Sequence, residues 1–329
     1  MKRFFIQPCL WWRFVLLTLS LLGLVGCSWV PQALGMRNGH LVQAHDVLAL
    51  PGERVVLRVR LESGSFLQDE QDRRVHMVLG GQTHAVVVTD HEGFAEAVFV
   101  PLSPGDYLFR IEVLSTDGTD TWPQADLLVS CRASDTPIAV IDLDGTLMQS
   151  SFKKVLTGDP EPLPLARETV ERLAQDHTIV YLTHRPDYFG PKSKNWLARH
   201  GFPRGPVLLS ELSGFSKGSL RDKTERLHDL RSRFAGVAIG IGDQIADAIA
   251  YRQNGVQAIL ISRVEDPNDA EDVREQALRL DELPPDVQVV EDWSEIQDVL
   301  WANKTYPPCR MKEELLERAA CLKARWSLW

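Results

Sequence analysis

The chain has 329 residues, 44% of them apolar, and a net charge of −9, enough for about two domains with real cores. This composition excludes a disordered or low-complexity protein, and the acidic balance speaks against a nucleic-acid partner, which asks for a basic face. The five cysteines show no Cys/His spacing suited to zinc.

In chain order, the first element is a leader. Met1-Lys-Arg3 and Arg13 are positive, and Phe14 to Val25 is an apolar run of signal-peptide length, short for a transmembrane helix. Trp11 and Trp12 precede it, where interfacial aromatics are at home. The run closes with Leu24-Val25-Gly26-Cys27, which resembles the bacterial lipoprotein box. The resemblance implies a signal peptide over 1–26, lipidation of Cys27, and a chain held on a bilayer surface. A short uncleaved anchor is the alternative. Ser28, not aspartate, follows the cysteine. In bacteria that sort on this position, that implies the outer membrane, so the expected location is its periplasmic face in the cell envelope. The leader carries three positive charges and no acid, which leaves −12 on the remainder. Much of that acid lies in 265–275 and 281–292, read as solvated surface. Residues 27–44 read as a tether.

Residues 45–132 read as all β. Short alternating runs recur at Arg54–Arg60, Val75–Leu79, His84–Thr89, Ala95–Val100, Tyr107–Val113 and Asp126–Ser130, with Gly/Pro turn signals between them. Their spacing predicts a sandwich. Asp90-His-Glu-Gly93 followed by Ser103-Pro-Gly-Asp-Tyr107 resembles bacterial immunoglobulin-like modules. No catalytic set is evident here, and the expected role is a spacer or a docking unit for a partner the sequence does not name.

The chemistry begins at Ile138-Ala-Val-Ile-Asp142-Leu-Asp144-Gly-Thr-Leu147. The apolar run predicts a buried strand whose carboxyl end delivers two carboxylates, where open α/β sheets bind ligands. Residues i and i+2 share a strand face, and Gly145 permits a sharp turn. Alone, such a motif is also what a solvated Asp-Gly turn looks like. It is followed by Thr178-Ile-Val-Tyr-Leu-Thr183, a strand ending in a hydroxyl, and then by the helix-patterned Ser219–Leu230 containing Lys223. Last comes Val237-Ala-Ile-Gly-Ile-Gly242-Asp243-Gln-Ile-Ala-Asp247, a strand, a glycine and two acids on one face of a predicted helix start.

This order of motifs resembles the haloacid dehalogenase-like phosphohydrolases over Thr136 to Ile261. The resemblance implies a doubly wound, mostly parallel α/β sheet over 136–303. It assigns Asp142 as the nucleophile that takes the phosphoryl group and Asp144 as general acid/base. Thr183 and Lys223 would hold phosphoryl oxygens, with Lys217 a rival for the lysine role. Asp142, the backbone carbonyl of Asp144, and Asp243 would hold Mg²⁺, supported by Asp247. Gly145, Thr146, His184 and Arg185 are the expected substrate contacts. The physics agrees, because a hard cation relieves the repulsion between an aspartate and a phosphate ester and orients attack.

Leu182-Thr-His-Arg185 and Pro203-Arg-Gly205-Pro206-Val-Leu-Leu-Ser210 resemble the catalytic domain of lipin-type phosphatidate phosphatases, as does the spacing from Lys223 to Asp229. The departure is Asp243, where lipins tend to carry Asn. The gaps from Leu147 to Leu163 and from Ser210 to Lys223 are too short for a cap domain, so an open site is expected, suited to a phospholipid or another large phosphate monoester. Leu182 to Pro203 also resembles class C acid phosphatases, which keeps a nucleotide or small-ester phosphatase open. A non-catalytic surface lipoprotein that binds lipid or a partner is a third reading. Residues 304–329 predict an amphipathic helical tail over Met311–Leu322, which would hold Cys309 and Cys321 about 18 Å apart, too far for a disulfide.

Overall fold

A computed structural model describes residues 34, 36–64, 66–114, 121–149, 158–211, 218–264 and 266–326 of the chain. The leader, Cys27, Lys217 and Trp329 lie outside the described residues.

Nine strands come first: β1 (His40–Ala44), β2 (Val47–Ala49), β3 (Val55–Ser63), β4 (Gln68–Asp69), β5 (Arg74–Leu79), β6 (Gln82–Val88), β7 (Phe94–Phe99), β8 (Gly105–Leu114) and β9 (Ala125–Cys131). They form two sheets, β1-β3-β4 with β7 also on β3, and β2-β9-β8-β5-β6. Alternation drives the packing. In β3, Val55, Leu57, Val59 and Leu61 are buried while Val56 between them is exposed, so one face turns into a core shared with Met77, Phe109 and Ile111. The tether expected over 27–44 is shorter than that, because His40–Ala44 is a strand antiparallel to β3. Its Gln43 is buried and donates to the equally buried Glu62, a pairing between strands that local periodicity does not reveal.

The second half alternates strand and helix: β10 (Ile138–Ile141), α1 (Ala166–Leu173), β11 (Thr178–Pro186), α2 (Gly190–Arg199), β12 (Val207–Ser210), α3 (Ser219–Arg233), β13 (Val237–Gly242), α4 (Ile245–Gln253), β14 (Gln257–Ile261), α5 (Ala270–Arg279), β15 (Gln288–Val290), α6 (Trp293–Trp301) and α7 (Pro308–Trp326). Six parallel strands run in the order β12-β11-β10-β13-β14-β15. All of β10 is buried, as expected for a central strand covered on both faces. One apolar layer takes side chains from α3, α4, α5 and α7, and the other from α1, α2 and α6. The chain winds outward from β10 to β12, then returns to place β13 on the other side of β10. That reversal opens a crevice at the carboxyl ends of β10 and β13. The tail helix α7 is part of the domain, with Met311, Leu315 and Ala319 buried in the first layer.

The two halves meet through polar and apolar contacts. Asp46, in the link between β1 and β2, accepts from Lys194 Nζ at 2.5 Å, Leu128 N at 2.8 Å and Val207 N at 3.0 Å. Leu48 of β2 is buried in the apolar layer that holds α3 and α4. Cys131, Cys309 and Cys321 are free, the first buried and the others exposed. Among the described residues no helix is long and apolar enough to cross a membrane.

Candidate functional site

Three strand ends and two helices converge at the crevice. Asp142 follows β10 directly, with its N–H held by Ile241 O of β13 at 3.0 Å. Gly145 turns the chain with φ +70°, and a Cβ there would lie 2.0 Å from Asp243 Oδ2. The absence of a side chain is therefore what lets Asp243, just past β13, sit against this loop. Thr183 arrives near the end of β11 and is buried. Lys223 comes from α3, the crossover helix between β12 and β13. Asp247 stands in the first turn of α4, where its carboxylate accepts from Gln244 N in a reciprocal cap.

Lys223 Nζ lies 2.6 Å from Asp247 Oδ1 and 3.1 Å from Asp142 Oδ2, and all three side chains are buried. Burial works against the ammonium charge, but Asp142 and Asp247 outweigh it and hold Lys223 above the ordinary lysine range. Burial likewise pushes Asp142 up, against the pull of Lys223 and with the help of Asp247 and Asp144. Asp243 is pushed up by burial and then by the carboxylates of Asp142 and Asp247. One oxygen from each of Asp142, Asp243 and Asp247 lies within 4.8 Å of the others. Asp142 Oδ1 is buried with no hydrogen-bond partner. A hard divalent cation fits this set: it supplies the charge that three carboxylates and one lysine leave short, and it accepts carboxylate oxygens together with water and phosphate. Asp142 and Asp243 would hold it. Asp247, already committed to Lys223 and Gln244, would orient them.

Asp142, Asp144, Gly145, Thr183, His184, Arg185, Lys223 and Asp243 all line one cavity of about 740 Å³. Asp247 is fully buried beneath it. Two expected substrate contacts are placed differently. Thr146 is fully buried and does not line the cavity; its carbonyl instead accepts from Trp293 Nε1 at 2.8 Å. Arg185 does border the cavity, but its guanidinium is committed to Asp144 at 2.7 and 2.8 Å and to Ser193 Oγ at 2.9 Å. The Asp144 side chain therefore faces Arg185 and stands apart from the carboxylate cluster.

Two features were not read from the sequence. His184 Nδ1 lies 3.1 Å from Ser210 Oγ and 3.2 Å from Asp222 Oδ2, and Ser210 donates to Asp222 at 2.5 Å. Asp222 precedes Lys223 by one residue, so the same helical turn serves both. Arg263, two residues beyond β14, lines the cavity on its far side. Only its position just past a strand end in the same sheet could have marked it.

Residues 139–262 match the family model described as PITM 1-3, LNS2 domain, so this segment is related to an LNS2 domain. The membrane-associated phosphatidylinositol transfer protein 3 of mouse and that of human are each 28% identical over 187 residues, covering 56% of this chain and 17% of the relative. The chain thus spans about a sixth of the length of the curated relatives it matches. Among solved structures, the titin M3 domain aligns with 29% of this chain and 97% of its own at 11% identity and a TM-score of 0.22, too slight a likeness to argue from.

Proposed function

We propose that the protein hydrolyses a phosphate monoester, with Asp142 as nucleophile and a lipid phosphate such as phosphatidate as substrate, at a membrane to which Cys27 tethers it. The observation that carries this reading is the meeting of Asp142, Thr183, Lys223 and Asp243 around one cavity at the carboxyl rim of a parallel sheet. The relation of residues 139–262 to an LNS2 domain, and the lipid in the relatives' names, support a lipid substrate. The absence of sequence long enough for a cap favours a substrate presented by a surface.

In this reading, Asp142 attacks phosphorus and forms an acyl phosphate while the ester oxygen leaves. Lys223 and Thr183 bind the phosphoryl oxygens as negative charge shifts toward the leaving group. Asp144 gives the leaving oxygen a proton and then takes one from the water that cleaves the acyl phosphate. Asp142, Asp243 and the Asp144 carbonyl would hold Mg²⁺, which when bound would supply charge neutralisation and alignment. The test is phosphate release from vesicle-borne phosphatidate by leaderless protein. Turnover should require Mg²⁺ and vanish in Asp142→Asn, and retained turnover in that variant would overturn the mechanism. Faster turnover of soluble nucleotides than of phosphatidate would favour the small-ester alternative.

A second reading has one observation in its favour. Both oxygens of Asp144 are held by Arg185, which suits a module that binds a lipid phosphate without turning it over. Phosphatidate binding with no Mg²⁺-dependent release of phosphate would select it.

A further inference from the structure

The cavity is larger than a phosphoryl group needs and lies in the range of roughly 300–1,000 Å³ that ligand pockets occupy. Its inner end holds Asp142, Thr183 and Lys223. Its far wall is built from Arg263, Val264 and one face of α5, where Asp272, Glu275, Gln276 and Arg279 recur at helical spacing. Gln276 Nε2 donates to Ser262 Oγ at 3.2 Å, bracing the strand-end loop that carries Arg263. Asp272 is turned onto Asp266 N at 3.2 Å, and Glu275 is exposed.

Arg263 is half-buried, and its Nε is buried with no hydrogen-bond partner. A guanidinium carries five donors in a rigid fork shaped for a carboxylate or phosphate, and a buried donor without an acceptor is costly. Burial holds its pKa below the ordinary arginine range, and the carboxylate that pushes back is Asp243. Arg263 follows β14, which lies beyond β13 from the central β10, so it enters the crevice from the Asp243 side.

We infer that Arg263 is a specificity residue that takes a second anionic group of the substrate, so that the preferred ester carries a phosphate or carboxylate beyond the transferred phosphoryl. This rests on the phosphatase reading and narrows its substrate class. Phosphatidate, with its single phosphate, is then turned over but leaves Arg263 without a second anion. A phospholipid whose headgroup ends in a phosphate monoester beyond its phosphodiester, or a soluble bisphosphate, becomes the better substrate.

The experiment compares wild type, Arg263→Gln and Arg263→Lys on p-nitrophenyl phosphate, alkyl phosphates and α,ω-alkanediol bisphosphates of increasing length. Wild type should favour a bisphosphate of matching length by at least about tenfold in kcat/KM. Arg263→Gln should raise KM for that ester about tenfold, with kcat and p-nitrophenyl phosphate kinetics unchanged, and Arg263→Lys should restore part of the loss. An equal KM rise on mono- and bisphosphates, or no preference in wild type, would overturn the inference. Vesicles carrying phosphatidylglycerol phosphate or phosphatidate give the lipid arm: a preference found only there places the second anion in a lipid diester, and one found only in solution places it in a free bisphosphate. Should wild type release no phosphate from any ester, the catalytic reading fails by itself. Calorimetric binding of the bisphosphate then decides this inference separately, weaker binding by Arg263→Gln supporting it and equal binding ending it.

Discussion

Arg185 holds both carboxylate oxygens of Asp144, through Nε at 2.7 Å and Nη2 at 2.8 Å, from a side chain that is almost wholly buried. The pair is a bidentate fork, the strongest geometry open to these groups. It fixes where Asp144 points and ties up its lone pairs. Any proton transfer by Asp144 has to be made from within that grip or by loosening it.

Asp144→Asn leaves the buried Arg185 charge uncompensated. The expected cost is about 3 kcal/mol of unfolding free energy, read from urea titration, because an orphaned buried ion costs far more than an exposed pair contributes. Arg185→Lys keeps the charge but loses the fork. It should lower kcat at least about tenfold with little change in KM, and unchanged turnover would show that the clamp does not position the acid.

Gly145→Ala should disable the site without unfolding the protein. The new Cβ would stand 2.0 Å from Asp243 Oδ2 at a φ of +70°. Backbone strain of about 1–2 kcal/mol would lower the melting temperature by a few degrees. Displacement of Asp243 should weaken Mg²⁺ activation far more, on the order of a hundredfold in the metal concentration needed. A normal Mg²⁺ titration would mean that Asp243 does not serve the ion.

Stability should fall as pH rises through neutrality, and Glu62 should be a main cause. Burial, opposed by Arg60 and reinforced by Asp69 and Asp187, pushes its pKa from 4.5 to about 7. The folded state then holds the proton more tightly than the unfolded one. The stabilisation is complete below pH 4.5 and is lost as pH climbs through about 7. Its size is on the order of 3 kcal/mol. Glu62→Gln should flatten that slope in denaturant melts taken from pH 4 to 8, and an unaltered slope would assign it to other groups.

Asp46→Ala should uncouple the halves. It removes three acceptor contacts, including the one to Lys194 Nζ at 2.5 Å, and leaves that ammonium on the carbonyls of Ala44 and Asp126 without its counter-charge. A loss of about 3 kcal/mol is expected, with a single thermal transition splitting into two. A single, unshifted transition would show that the polar junction contributes little.

The parallel-sheet half was legible wherever a polar side chain sits at the end of a local pattern. Asp142, Thr183 and Asp243 each terminate an apolar run, and a parallel strand delivers its last residue to the same rim as its neighbours. What the sequence hid were relations across distance. Gln43 and Glu62 look like ordinary polar positions until β1 pairs with β3, and so the first strand was read as tether. The three-residue β2 is too short to show a period at all. Arg185 carried a binding signature, and only the fold reveals that Asp144, a side chain 41 residues earlier, takes up its donors. Thr146 was grouped with substrate contacts by its place in the motif, yet the turn at Gly145 sends it inward.

Trp293 completes the rear of the loop that follows Asp144, its indole N–H on Thr146 O at 2.8 Å and its ring 1% exposed. This brace reaches the loop from 147 residues further along the chain. During translation the loop after Asp144 stays unbuttressed until Trp293 has been added, 147 residues after Thr146, so assembly of the site waits on a distant part of the chain. The same indole is a fluorophore, and its emission, separated from that of the chain's eight other tryptophans by subtracting a Trp293→Phe variant, would register when that assembly is done.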